Sequence, residues 1–108
     1  MISIKQGDAF SMPVEVKLNK EPVEIANVAE VEFMFGDVRK TYPADATYNT
    51  AEQCFYVPLT QKDTFSFPAD EVIQLDIRVG FVGGTVIGIG SKIPIYVYDA
   101  TSEAVLNG

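Results

Sequence analysis

The sequence holds no histidine. That removes the commonest general base near neutral pH, and with it Ser–His–Asp and Cys–His arrangements and histidine-ligated zinc. Cys54 is the only cysteine, so an intrachain disulfide and thiolate metal sites of the usual spacing are excluded as well. No His or Arg stands near it in sequence to stabilise a thiolate, and the run around it alternates like a strand. Cys54 therefore reads as a small core or half-buried hydrophobe rather than a nucleophile. Catalysis would have to come from a carboxylate pair or a Ser–Lys dyad.

Carboxylates are plentiful, 15 against 8 basic side chains, but they are scattered along the chain. Asp37, Asp63 and Asp70 each stand at a turn-like position, where aspartate bonds the local backbone. No alternating Asp/Asn loop of the calcium-binding kind occurs. Gly88-Ile89-Gly90-Ser91-Lys92 resembles a phosphate loop in composition only. A nucleotide cradle needs strand, turn and helix N-terminus in that order, whereas Ile93, Pro94, Ile95 and Val97 continue a strand. The two glycines read better as missing side chains on one strand face. The expectation is a protein that is not an enzyme and uses no cofactor or metal.

The formal net charge of −7 repels nucleic acid and anionic lipid, so neither is an expected partner. No run approaches membrane-spanning length, and residues 1–8 show no basic start leading into an apolar stretch. The expected location is the cytoplasm in which the chain is made, unless an assembly carries it out. At 108 residues, 47% of them hydrophobic, the chain is read as one domain. A domain of that size buries about two-thirds of its unfolded surface.

Any site must be positioned by strands, because period-two alternation runs from end to end and no long helix is visible. Residues 2–5 alternate and stop at Gly7-Asp8. Phe10, Met12, Val14, Val16 and Leu18 mark one face of a strand of about nine residues, closed by Asn19-Lys20-Glu21-Pro22. Val23 and Ile25 are expected to form a short strand or strap, with Val28 plugging one end of the sandwich. Val31, Phe33 and Phe35 point inward before the hairpin signal Gly36-Asp37. Residues 43–50 read as a mobile loop, and Phe55, Val57 and Leu59 as the next strand. Thr60-Gln61-Lys62-Asp63 is expected to cap a single helical turn before Phe65 and Phe67. Ile73, Leu75, Ile77, Val79 and Phe81 mark the clearest strand, with Val72, Gln74, Asp76, Arg78 and Gly80 on its other face. Gly83-Gly84 signals a two-residue type I′ turn. The last strand, residues 85–98, sends Ile87, Ile89, Ile93, Ile95 and Val97 inward, with Ser91 at a bulge or sheet switch. Seven or eight such strands fit a two-sheet sandwich over residues 1–98 with a tail at 99–108, a barrel being the alternative. Pro13, Pro58 and Pro94 stand inside strands, so those positions are expected at edges or bulges.

Parity then defines a candidate contact face. Gly88, Gly90, Pro94, Tyr96 and Tyr98 face outward on the last strand, and Tyr56 and Pro58 face outward on an earlier one. If these strands share a sheet, they form a flat surface of Gly, Pro and Tyr with little charge. Tyrosine supplies contact area at low entropic cost, and bare glycine lets another chain approach. Such a face suits a protein partner or, alternatively, a carbohydrate.

Several segments carry a family resemblance. Ile4-Lys5-Gln6-Gly7-Asp8 leads straight into the strand from Phe10, and Val23-Glu24-Ile25 precedes Val31-Glu32-Phe33-Met34-Phe35. Tyr56-Val57-Pro58-Leu59-Thr60, residues 73–79 and Ile93-Pro94-Ile95-Tyr96-Val97 follow in order. Together they resemble the N-terminal immunoglobulin-like domain of phage baseplate upper proteins, over nearly the whole chain. The departure is Phe67-Pro68-Ala69-Asp70, where that family often has Gly-x-Tyr. The resemblance implies an all-β, immunoglobulin-like antiparallel sandwich without catalytic residues. It further implies a structural part of a phage or prophage particle, located in the tail or baseplate. Its partners would be other tail or baseplate proteins, and a symmetric homo-oligomer follows from the rings in which particle proteins act.

Overall fold

Alternating apolar residues give each strand one face to bury, and two sheets of such strands bury each other. The computed structural model describes residues 1–107; Gly108, the last position of the expected tail, lies outside the described residues. One sheet runs in the order β1 (Ile2–Lys5), β11 (Ile93–Tyr98), β9 (Glu71–Phe81), β5 (Val28–Phe35), β6 (Val38–Tyr42), and β10 (Val86–Gly88) pairs with β9 beside this path. The facing sheet is β2 (Phe10–Val14), β8 (Cys54–Leu59), β7 (Thr47–Asn49). A small ladder joins β3 (Lys17–Leu18) to β4 (Glu21–Pro22), and a short helix α1 (Gln61–Phe65) follows β8. The fold is thus an all-β sandwich. Its larger sheet is mixed rather than purely antiparallel, because β1 lies parallel to β11 with Ile2 opposite Ile95 and Lys5 opposite Tyr98.

The inward sets are largely those that alternation marks, although Phe10, placed by alternation on the face of Met12 and Val14, is 39% exposed at the start of the edge strand β2. Val31, Phe33 and Phe35 of β5, Phe55, Val57 and Leu59 of β8, and Ile73, Leu75, Ile77 and Val79 of β9 are all buried. Phe55 joins the two layers: its ring meets Phe33 at 5.6 Å, Tyr42 at 5.1 Å and Tyr48 at 4.8 Å, each edge-on. Cys54 is buried, as a small hydrophobe is.

Several boundaries differ from expectation. The strand read over residues 10–18 breaks after Val14, although Val16 stays buried and its carbonyl accepts from Val23 N–H. Residues 43–50 are not a plain loop. They contain β7, and Ala46 is buried beneath a turn in which Asp45 accepts from Thr41 N–H. The Gly83-Gly84 turn is a three-residue loop: Phe81 N–H donates to Thr85, Gly84 N–H donates to Phe81, and only Gly84 takes positive φ, at 95°. That is the hairpin form in which a glycine bulge follows a turn, so one positive-φ glycine suffices. The final strand is interrupted around Ser91, where β10 ends opposite Arg78 and β11 resumes opposite Leu75. Ile87, expected inside, is 39% exposed, because β10 lies at the margin of the larger sheet and the facing sheet is only three strands wide.

The prolines obey the ladder chemistry locally. Pro13 lies on the edge strand β2. Pro58 lies past the end of β7, which pairs β8 only at Cys54, Phe55 and Tyr56. Pro94 precedes Ile95, the first residue of β11 with a partner on β1. Each missing N–H therefore falls where one side of the strand has no neighbour.

Candidate functional site

On β11 the register that buries Ile95 and Val97 turns Pro94, Tyr96 and Tyr98 outward. Tyr98 is 52% exposed and Tyr96 half-buried, and their rings meet edge-on at 4.8 Å. The flanking strands complete the face. Val72 of β9 stands opposite Tyr96 and is 45% exposed, Gln74 stands opposite Pro94, and β1 sets Ser3 beside Tyr96 and Lys5 beside Tyr98. Tyr96 O–H reaches Asp70 Oδ1 at 3.5 Å. Partial burial, then the negative charge of Asp70, raises the Tyr96 phenol above its ordinary pKa, so it stays a neutral donor. Among the described residues the tail bonds beside this surface, from Ala100 N–H to Gln6 and between Leu106 and Gln61, and leaves Tyr98 exposed.

The other residues of the anticipated face lie elsewhere. Tyr56 and Pro58 belong to β8 in the facing sheet, so their outward side is the opposite surface of the sandwich. Parity assigns a residue to an outer surface but does not say which of the two. Gly88 is on β10, away from the tyrosines, where a Cβ would rest in ordinary contact with Arg78 Cγ at 3.7 Å. Gly90 sits in the irregular segment between β10 and β11 with open space around it. The face that is brought together is Pro94, Tyr96 and Tyr98, joined by Val72 and Lys5. Val72 was visible as the apolar member of an otherwise polar outward set on β9. Lys5 was not, because nothing local announces a parallel pairing of the first and last strands.

Tyr56 has its own partner. Its O–H donates to Glu52 Oε1 at 2.5 Å, and that bond first, with burial adding, pushes the phenol up to about 12. The fold favours the protonated phenol, so this contribution is whole below about pH 10 and fades as pH rises toward about 12. In an ultraviolet titration one of the five tyrosines should ionise only near pH 12, and Glu52→Gln should return it toward about 10. Five phenols titrating together in the native protein would contradict the assignment.

The carboxylates nearest to convergence are occupied structurally. Glu32 accepts from Arg39 Nε at 2.7 Å and Arg78 Nη2 at 3.0 Å, and the Arg39 bond above all holds its carboxyl below the usual range. Burial pushes Asp63 up, but Lys40 at 2.8 Å and the cap bond from Thr60 N–H outweigh it and lower its pKa. Among the described residues no group of three or more His, Cys, Asp or Glu side chains is placed to hold a metal ion. No helix among them is long and apolar enough to cross a membrane. A hollow of about 350 Å³ lies between the tail, the turn at Gly7 and α1, lined in part by Lys5, Asp8, Gln61 and Phe65. Comparison of the chain with family models, curated proteins and solved structures yields no match.

Proposed function

We propose that this chain is a non-catalytic assembly module that docks on other proteins through the outward face of β1, β11 and β9. The observation that carries this is the edge-on pair of half-buried Tyr96 and exposed Tyr98, standing between Val72, Pro94 and Lys5. Large aromatic side chains with a polar tip, on a rigid sheet, are what central contact residues of an interface require. The structural engagement of Glu32, Asp63 and Glu52 supports the absence of acid–base chemistry.

The strand order supports the immunoglobulin-like reading. β11, β9, β5 and β6 follow one another as G, F, C and C′ do, opposite β2, β8 and β7 in the places of B, E and D. With the resemblance carried by residues 4–8 and the later strands, this favours a phage or prophage tail or baseplate as the home of the module, within the virion.

Two measurements test the proposal. Mass spectrometry of particles induced from the source bacterium is expected to find the chain at stoichiometric levels. Its absence from particles while plentiful in the lysate would overturn the virion assignment. The Tyr96→Ser, Tyr98→Ser double variant is expected to keep its circular dichroism and to bind its particle partner at least about thirtyfold more weakly, the effect of losing one interface anchor. Undiminished binding, or saturable binding of oligosaccharides that the double variant loses, would sink the protein-docking face and favour a sugar.

A further inference from the structure

Strand β10 leaves an open edge. Phe81 N–H donates to Thr85 and Ile89 N–H to Ile77, with Ile87 opposite Val79 between them. Residues 85, 87 and 89 therefore aim their backbone groups at β9, and antiparallel alternation turns those of Val86 and Gly88 the other way. Among the described residues no strand lies on that side, since β1 begins only opposite Ile95. Val86 is 62% exposed, and Ile87 and Val82 also present apolar surface to solvent.

Other edges of the molecule are guarded. β2 carries Pro13, β6 carries Arg39 and Lys40, β1 carries Lys5, and β7 is a polar stretch of three residues. Proline, charge and shortness are the ordinary means of keeping a sheet edge from pairing. β10 has neither charge nor proline. It lies within residues 79–91, the longest run in the sequence without a charged side chain.

We infer that this edge pairs with the same edge of a second copy of the chain, two β10 strands meeting antiparallel about a twofold axis. The charge distribution selects that occupant. Copies carrying −7 each repel one another over much of their surfaces, whereas β10 brings no charged side chain of its own to the join, and the acids that border Val86, Glu30 and Glu32, stand together with Arg39 and Arg78. A cationic partner would be drawn to the acidic surfaces instead. The register is self-complementary: Val86 exchanges both backbone bonds with Gly88 of the second copy, and Gly88 with its Val86. Ile87 then faces Ile87 of the second copy on the side where side chains approach most closely. An isologous join of two short strands is small, so the dimer is weak and concentration-dependent. This surface is distinct from the tyrosine face and is tested separately.

Sedimentation velocity over a wide concentration range is expected to show a monomer–dimer equilibrium that tightens as salt is added, because screening weakens the repulsion between acidic copies. Gly88→Pro removes an edge N–H without touching the bonds to β9, and its φ is not in the positive range. It should dimerise about thirtyfold more weakly, the loss of two backbone hydrogen bonds across the axis, with unchanged circular dichroism. Ile87→Lys, which sets like charges opposite each other, should do the same should the proline variant fold poorly. The Tyr96→Ser, Tyr98→Ser variant should dimerise as the native protein does. A native chain that stays monomeric throughout, association that salt weakens, or folded edge variants that dimerise undiminished would overturn the inference.

Discussion

Phe55→Ala is expected to remove about 3–5 kcal/mol of stability, the largest effect of any single truncation in this core. Phe55 is fully buried, and its ring touches Phe33 and Tyr42 of the larger sheet and Tyr48 of its own. Truncation leaves a cavity walled by strands whose backbones are fixed by ladder bonds on β5, β6 and β7, so the space cannot close cheaply. It also removes the edge-to-ring contacts, worth about 0.5–1.5 kcal/mol each beyond area burial. A domain of this size holds about 5–15 kcal/mol in total, so the variant loses a large share of it. Urea denaturation checks this directly: the midpoint should fall with an unchanged slope, and Phe55→Leu should fall markedly less. A midpoint equal to that of the native protein would mean that the sheets do not pack around this ring.

The same residue shows what is legible in such a sequence. Alternation about Phe55, Phe33 and Leu75 names the inward side of each strand, because period two is a property of the strand itself. The hairpin at Gly36-Asp37 and the Thr60 cap are likewise local, and each appears where its residues place it. Neighbour relations between strands are not local. Nothing in residues 2–5 announces a parallel partner at Ile95, and nothing in Tyr56 says that β8 lies in the opposite sheet from Tyr96. The contact face anticipated from parity therefore survives on β11 alone. The interruption near Ser91 was readable from the chain, but its consequence was not: it leaves β10 at the margin with Ile87 facing solvent.

Gly7→Ala is expected to cost about 2–4 kcal/mol, the sum of backbone strain and overpacking, although it adds a single methyl group. Gly7 holds φ at 91°, which L side chains rarely adopt, and a Cβ there would lie 2.9 Å from Cζ of Phe65. The half-buried Phe65 ring borders an open hollow and can shift part of the way, but α1, which carries it, is tied to the same turn. Thr64, fully buried, accepts from Gly7 N–H at 2.9 Å and donates to the Asp8 carbonyl at 2.8 Å, while Gln6 Nε2 donates to the Phe67 carbonyl at 2.8 Å. Asp8 closes the turn by accepting from Lys5 N–H. Gln6, Gly7 and Asp8, the most motif-like residues of the chain, are thus engaged in fastening β1 and β2 to the helix, which argues against a ligand role for them. Gly7→Asn separates the two costs, since asparagine tolerates positive φ and keeps the steric one; its loss should fall below that of alanine. Thr64→Val, nearly isosteric, should cost about 1–3 kcal/mol for each backbone group it leaves unpaired. Thermal or urea unfolding of the three variants measures this, and a Gly7→Ala protein as stable as the native chain would refute the role of the turn.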